Sequence, residues 1–135
     1  MKLTLTHAEL AAMLRGADEI LQERIPVSLA LRLRGLVRAL QPHARDAEEL
    51  EREIILRYAV KDEAGDPVPV LDGEGAPRPG MVQVTDSVAA HRELRELAAC
   101  TVQVEVEPIS AGELEAAGLR VSGAAILGLG ELIVE

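Results

Sequence analysis

Aromatic side chains are almost absent from this sequence, which has one tyrosine, no phenylalanine and no tryptophan among 135 residues. Proteins that bind single-stranded nucleic acids stack the bases on aromatic side chains and attract the phosphates with positive charge. This chain has few aromatics and a formal net charge of −9. The sequence therefore predicts no direct nucleic-acid partner. Because 48% of the residues are hydrophobic, we expect an aliphatic core.

Cysteine and metal-ligand patterns are equally scarce. Cys100 is the only cysteine, so neither an intramolecular disulfide nor a cysteine-based metal cluster can form. Between a helix end and a strand start, we expect a buried and inert thiol. The histidines, His7, His43 and His91, are too far apart in sequence for a metal-ligand motif. The sequence thus predicts no metal and no cofactor.

Long hydrophobic runs are missing as well. No segment approaches the roughly 20 apolar residues of a membrane span, and the first six residues lack the apolar run of a signal peptide. We therefore expect a soluble, intracellular protein with no membrane partner. No nucleophile, base and orienting group can be named together, which predicts that the chain is not an enzyme.

The periodicity of the apolar residues predicts an α+β fold in a single domain over residues 1–135. Alternation over 2–5 predicts a strand, and the capping-box pair Thr6 and Glu9 predicts a helix that ends near Arg24. A second helical pattern covers about 27–58, and Pro42 is expected to kink or break it. Its apolar seam repeats every three or four residues through Leu29, Leu33, Leu36, Leu40, Ala44, Ala47, Leu50, Ile54 and Tyr58.

Basic residues occupy the first half of this long helical segment and acidic residues occupy its second half. Four arginines, Arg32, Arg34, Arg38 and Arg45, precede the acidic run at 46–53. One interpretation is a solvated face that happens to be segregated. The other is an antiparallel partner helix, because opposite charges on the flanks of paired helices select their orientation.

Residues 62–80 are rich in proline and glycine, which excludes a helix. Val68 and Val70 alternate with Pro69, which suits an edge strand at most. The segment is predicted to be either an extended loop or loose hairpin arm with a function, or an ordinary flexible connector.

The remaining patterns complete the predicted fold. Strands are expected at 81–84 and 101–106, with a helix at 87–99 between them. The residues of this helix expected to face inward, fully or partly, are Val88, His91, Leu94, Leu97 and Ala98. A second capping box, Ser110 with Glu113, begins a short helix, and Ser122 begins a C-terminal one. The expected architecture is a long helical hairpin, kinked or broken at its proline, with a small, mainly antiparallel sheet of strands 2–5, 81–84 and 101–106, and a short C-terminal helix.

The seam, the sorted charges and the proline-rich arm all suit contacts with other protein chains. The residues that we expect at such an interface are Leu33, Leu36, Leu40, Arg34, Arg38, Glu48, Glu51, Val68 and Val70.

The order of features resembles a family of small uncharacterised proteins encoded by tailed bacteriophages, over nearly the whole chain. It rests on Lys2-Leu3-Thr4-Leu5, Ile25-Pro26-Val27 before the apolar and basic segment 29–40, the acidic stretch that ends at Leu56-Arg57-Tyr58, Lys61-Asp62-Glu63-Ala64-Gly65, Glu93-Leu94-Arg95-Glu96-Leu97 leading into Val102-Gln103-Val104-Glu105-Val106, and Pro108-Ile109-Ser110 before a leucine-rich end.

The resemblance implies a phage protein with no catalytic residues to transfer, located in the virion or the host cytoplasm. A virion structural or assembly component, self-associating or binding phage structural proteins, is the first expectation. The alternative is a small acidic effector that binds and inhibits or redirects a host protein of the transcription or defence machinery, because an acidic surface can occupy a basic groove.

Overall fold

The structure is a computed structural model that describes residues 1–118 and 122–135. Its mixture of a long helix, small sheets and a short C-terminal helix confirms the predicted α+β class. The elements in chain order are β1 (Lys2–Thr6), α1 (His7–Leu21), α2 (Val27–Tyr58), β2 (Pro69–Leu71), β3 (Pro77–Val82), α3 (Ser87–Ala99), β4 (Thr101–Glu105), β5 (Ile109–Ser110), α4 (Ala111–Ala116), α5 (Gly123–Leu129), a 3₁₀ turn (Gly130–Leu132) and β6 (Ile133–Val134).

The chain forms two compact units. Unit 1 contains Met1–Asp46 and Ala98–Glu135, and unit 2 contains Ala47–Leu97. Helix α2 therefore contributes its first part to unit 1 and its last part, about three turns, to unit 2. The two units are described separately.

Unit 1 is built on the antiparallel pair of β1 and β4. In this register Leu3 lies opposite Val104 and Leu5 lies opposite Val102, so the alternating apolar residues of both strands share one face. Leu3, Leu5 and Val104 are buried, and Val106 continues the same face beyond the end of β4. The predicted strand faces are thus confirmed.

Helix α1 begins at the predicted capping box. The Thr6 hydroxyl accepts a hydrogen bond from the Glu9 amide at 3.1 Å, and the Glu9 carboxylate accepts one from the Thr6 amide at 3.0 Å. The Thr6 amide beside this carboxylate lowers the pKa of Glu9. Stability from this contact is therefore present above the unfolded-state pKa and is lost as the pH falls through the lower, folded-state pKa.

Helices α1 and α5 pack at very short range because glycines occupy the contact. A Cβ atom at Gly16 would lie 2.5 Å from the Ala125 carbonyl oxygen, and one at Gly128 would lie 2.5 Å from the Ala12 carbonyl oxygen. Gly16 and Gly128 therefore allow the backbones of α1 and α5 to approach each other directly.

The first part of α2 lies against this framework through its leucine seam. Leu29, Leu33, Leu36 and Leu40 are buried in the same core cluster as the apolar residues of β1, β4 and α1. Pro42 was expected to kink or break the helix, and the break does not occur, because α2 is a single helix that includes Pro42. Pro42 is exposed, so water can satisfy the Arg38 carbonyl whose usual donor is missing.

The C-terminal part of unit 1 differs in two ways from the prediction. The Ser110 hydroxyl caps α4 by accepting from the Glu113 amide at 3.1 Å, but the Glu113 carboxylate does not complete a capping box. It instead accepts two hydrogen bonds of 2.6 Å from the Arg32 guanidinium on α2. Beyond α5 the chain leaves the helix and forms β6, which pairs in parallel with β5.

Unit 2 is organised around a closed ring of three backbone hydrogen bonds. The Val60 amide donates to the Gln83 carbonyl, the Gln83 amide to the Val68 carbonyl, and the Val68 amide to the Val60 carbonyl, each at 2.8 Å. From this ring the antiparallel hairpin of β2 and β3 extends. The predicted sheet of 2–5, 81–84 and 101–106 was therefore wrong for 81–84, because Val84 forms a bridge with Ala59 instead.

Helix α3 completes unit 2 with the predicted bounds. The Asp86 carboxylate caps it by accepting from the Ala89 amide at 3.0 Å. Its inward side was predicted incorrectly at Val88, His91 and Ala98, which are exposed. Leu94 and Leu97 are half-buried as expected, and Ala90 is buried. In unit 1, Cys100 is exposed and not buried as expected.

Candidate protein interaction surfaces

A groove of about 610 Å³ lies in unit 2 between the end of α2 and the hairpin. We call it the hairpin groove. Two sides form it, one from α2 and one from the strands. The residues that line it are Glu48, Glu51, Arg52, Ile55, Leu56, Pro69, Pro77, Arg78, Pro79, Gly80, Met81 and Val82.

Apolar side chains of this region are unusually exposed. Met81 is 48% exposed and Leu56 is 40% exposed, and Leu71 at the end of β2 is exposed as well. Isolated exposed apolar residues are ordinary, but several around one concave surface are typical of a binding site. The hairpin groove is therefore the candidate site that the geometry favours.

Two copies of the same aspartate turn shape the hairpin wall. The Asp62 carboxylate accepts hydrogen bonds of 2.9 and 3.0 Å from the amides two and four residues later, and Asp72 accepts equivalent bonds of 2.8 and 2.9 Å. In each turn the glycine three residues after the aspartate, Gly65 or Gly75, has a positive φ. These local bonds fix the path of the chain at each turn, and the backbone ring connects the hairpin to the end of α2.

A second exposed surface lies in unit 1, on the side of α2 opposite the leucine seam. Val27 is 76% exposed and Leu31 is 62% exposed, although both are apolar. Arg34 and Arg38 follow on the same side of the helix, because steps of three and four residues return to one face. We call Val27, Leu31, Arg34 and Arg38 the α2 ridge.

The structure separates the residues predicted for an interface into four groups. Leu33, Leu36 and Leu40 lie in this chain's own core, so they offer no surface to another chain. Arg34 and Arg38 are exposed on the α2 ridge, and Glu48 and Glu51 line the hairpin groove. Val68 and Val70 are half-buried in unit 2, where Val68 belongs to the backbone ring.

Sequence reasoning missed the apolar members of both surfaces. Val27 and Leu31 lie on the side of α2 opposite the leucine seam, so the periodicity that defines the seam does not include them. Met81 was assigned to a strand of the central sheet. A helical projection of α2 carried a signal for the ridge, since its apolar residues are not confined to one side.

Comparisons of this chain with protein-family models, curated proteins and solved structures give no significant match. Among the described residues, no helix combines the length and apolar character that crossing a membrane requires. In the same part of the chain, no group of three or more His, Cys, Asp or Glu side chains is placed to hold a metal ion.

The only tyrosine lies beside the groove-forming end of α2 and contacts α3. The Glu93 carboxylate beside the phenol raises the pKa of Tyr58, because a neighbouring negative charge favours the neutral form of the phenol. The Arg57 guanidinium donates to the same carboxylate at 3.0 Å. The Tyr58 carbonyl accepts from the Thr85 amide at 2.7 Å, which joins the end of α2 to the segment before α3.

Replacing Glu93 by glutamine is expected to lower the pKa of Tyr58 towards the ordinary value of a tyrosine. The stabilisation linked to the raised pKa is present below the unfolded-state pKa and is lost as the pH rises through the folded-state pKa. Ultraviolet absorbance of the ionised phenol measures this titration directly, because the chain has no tryptophan and no other tyrosine.

The matched control is Glu96→Gln, which removes a negative charge from an exposed position on the same helix. It should leave the tyrosine titration nearly unchanged. Equal titrations for wild type and Glu93→Gln would show that Glu93 does not control the phenol.

Proposed function

We propose that this protein acts by binding other protein chains, without catalysis and without a cofactor, as a structural or assembly component of a tailed-bacteriophage virion. Its place would then be the virion, and the host cytoplasm before assembly. The hairpin groove carries the proposal, and the resemblance to small phage proteins supports the setting.

The groove favours a protein partner because of its chemistry. Ile55, Leu56, Met81 and Val82 offer apolar surface, and Glu48 is among the charged residues at its sides. Removing apolar surface from water contributes about 25 cal/mol per Å², so covering these side chains would favour association. Charged residues around an apolar centre are the usual arrangement of protein interfaces.

The rigidity of the groove also supports binding. Hairpins that order only on binding lose conformational entropy at that moment, which weakens the complex. In unit 2 the aspartate turns and the backbone ring already hold the hairpin, so little further ordering is required. A partner can therefore use most of the free energy of the apolar contact.

Virion incorporation tests the proposal. Particles of the phage that carries the gene are purified, and mass spectrometry measures how many copies of the protein each particle contains. Met81→Glu places a charge in the groove and is expected to reduce incorporation at least about tenfold. Val88→Glu is the control, because Val88 is an exposed apolar residue of the same unit outside the groove lining.

Absence of wild-type protein from the particles would contradict the virion role, as would equal incorporation of Met81→Glu and wild type. The charge of −9 favours one other function, an acidic effector that binds a basic host protein. Two results together would support that alternative. The protein would be absent from the particles, and it would bind a specific host protein with an affinity that falls as the salt concentration rises.

A further inference from the structure

We propose that strand β4 of one copy pairs with β4 of a second copy, antiparallel and about a two-fold axis. The two-stranded sheets of β1 and β4 would then join into one continuous sheet. This contact lies in unit 1 and does not involve the hairpin groove, so it goes beyond the proposed function.

The hydrogen-bond pattern of unit 1 shows which backbone groups of β4 face away from β1. The Val106 amide donates to the Met1 carbonyl at 2.9 Å, and the His7 amide donates to the Cys100 carbonyl at 3.3 Å. In an antiparallel ladder, hydrogen-bonded pairs alternate with pairs that are not hydrogen-bonded. In this register the even-numbered residues of β4 therefore bond to β1, and the odd-numbered residues direct their N–H and C=O groups outward.

The odd-numbered residues of β4 form a free strand edge. They are Thr101, Gln103 and Glu105, and the side chains of all of them are exposed. Among the described residues, their N–H and C=O groups form no backbone hydrogen bond. A row of unpaired backbone groups on a strand is a template on which another strand can add.

The other strand edges of the described chain are protected. The hairpin of β2 and β3 contains prolines, and β5 and β6 are each two residues long. On the outer edge of β1, the Thr6 amide already donates to the Glu9 carboxylate, and Lys2 adds a charge. Strand β4 contains neither proline nor lysine, so it lacks the usual protection against pairing.

One register matches β4 with itself. Setting Gln103 opposite the partner's Gln103 also sets Thr101 opposite the partner's Glu105, so every outward-directed residue meets another. Each such pair would exchange two backbone hydrogen bonds. On the other face Val102 lies opposite the partner's Val104, which continues the apolar face of unit 1 into the second copy.

This self-matching favours a second copy as the occupant of the edge. In the register centred on Gln103, apolar residues meet apolar residues, polar residues meet polar ones, and no charge lies opposite a like charge. A register centred on Glu105 would instead set two carboxylates against each other. The two-fold pairing also covers the free edge of both copies at once, so the assembly closes as a dimer.

Light scattering after size-exclusion chromatography tests self-association over a range of concentrations. Wild type is expected to form a dimer, and Gln103→Lys is expected to raise the dissociation constant at least about tenfold, because two lysines would face each other across the axis. Thr4→Lys is the matched control, since Thr4 is exposed opposite Gln103 but lies on the strand that the second copy does not contact. It should dimerise as wild type does.

Mixing two variants tests the register. Gln103→Lys alone and Gln103→Glu alone should each associate weakly, because each places like charges together. An equimolar mixture should form a heterodimer, since lysine then faces glutamate. Failure of the mixture to associate better than either variant would overturn the register.

Amide hydrogen exchange, followed by nuclear magnetic resonance, tests the edge itself. The amides of Thr101, Gln103 and Glu105 should become protected as the protein concentration rises, whereas the outward-directed Thr4 amide on β1 should not. A dimer in which all of these amides exchange as fast as that of Thr4 would overturn the pairing of β4, because another surface would then hold the copies together.

A wild-type monomer at concentrations up to about 1 mM would overturn self-pairing altogether. This result is distinct from failure of the proposed function. A monomeric protein that is still incorporated into particles would leave the virion role intact, whereas a dimer absent from particles would contradict only that role.

Discussion

Replacing Gly16 by valine is expected to destabilise the protein by about 3 kcal/mol. The new Cβ would lie 2.5 Å from the Ala125 carbonyl oxygen, a backbone atom that cannot rotate away as a side chain could. Helices α1 and α5 would have to separate, and the apolar contacts around Gly128 would be lost with them. Chemical denaturation followed by far-ultraviolet circular dichroism measures the change, since the chain has no tryptophan fluorescence.

Gly35→Ala is the matched control for this substitution. Gly35 is also a helical glycine, but nothing lies within 4 Å of the place that its Cβ would take, so the added methyl group meets no obstacle. Alanine should stabilise α2 there by roughly 0.5–1 kcal/mol, because it restricts the unfolded chain more than glycine does. A Gly16→Val protein as stable as wild type would show that α1 and α5 do not pack at this distance.

Replacing Val104 by aspartate is expected to destabilise unit 1 by about 4 kcal/mol. Val104 is only 6% exposed and lies opposite Leu3, so the new carboxylate would face the apolar core without a partner. The cost should diminish at acidic pH, because a protonated carboxyl group is cheaper to bury than a charged one. Thermal and chemical denaturation at two pH values measure both effects.

Gln103→Asp separates burial of charge from the poor strand propensity of aspartate. Gln103 is exposed on the opposite face of β4 and lies opposite Thr4, so the same side chain remains in water. Its expected cost is about 1 kcal/mol or less. If the two variants were equally stable, the assignment of the buried strand face would be wrong.

Helix starts were predictable from the sequence because their contacts are local. Thr6 with Glu9 and Ser122 with Ala125 each join residues three apart, and each cap forms at the predicted helix start. The spacing of the residues alone decides whether such a bond can form. The alternation of apolar and polar residues predicted β1 and β4 for the same reason, because it too is a local pattern.

Strand partners were not predictable, because pairing joins segments that are distant in sequence. The segment 81–84 alternates apolar and polar residues as a strand does, but this alternation does not indicate which other strand will pair with it. In the structure Val84 meets Ala59, and Gln83 joins the ring with Val60 and Val68. Two aspartate turns bring these residues together. Both turns have the same five-residue pattern, with aspartate first and glycine fourth.

The candidate site was also not predictable from local patterns alone. Periodicity identified which residues of α2 share a face, but not whether the chain's own strands cover that face. The leucine seam is covered by unit 1, and the exposed apolar pair of Val27 and Leu31 lies on the other side. Only packing against distant segments distinguishes a core face from an interface.

The prolines of the hairpin restrict how any partner can bind to it. Pro69, Pro77 and Pro79 lie in β2 and β3, and none of them has a backbone N–H to donate. A strand from another chain that tried to extend this two-stranded sheet would find gaps in its hydrogen-bond ladder. The exposed hairpin thus resists edge-to-edge aggregation, and a chain that bound at the groove would have to use side-chain contacts.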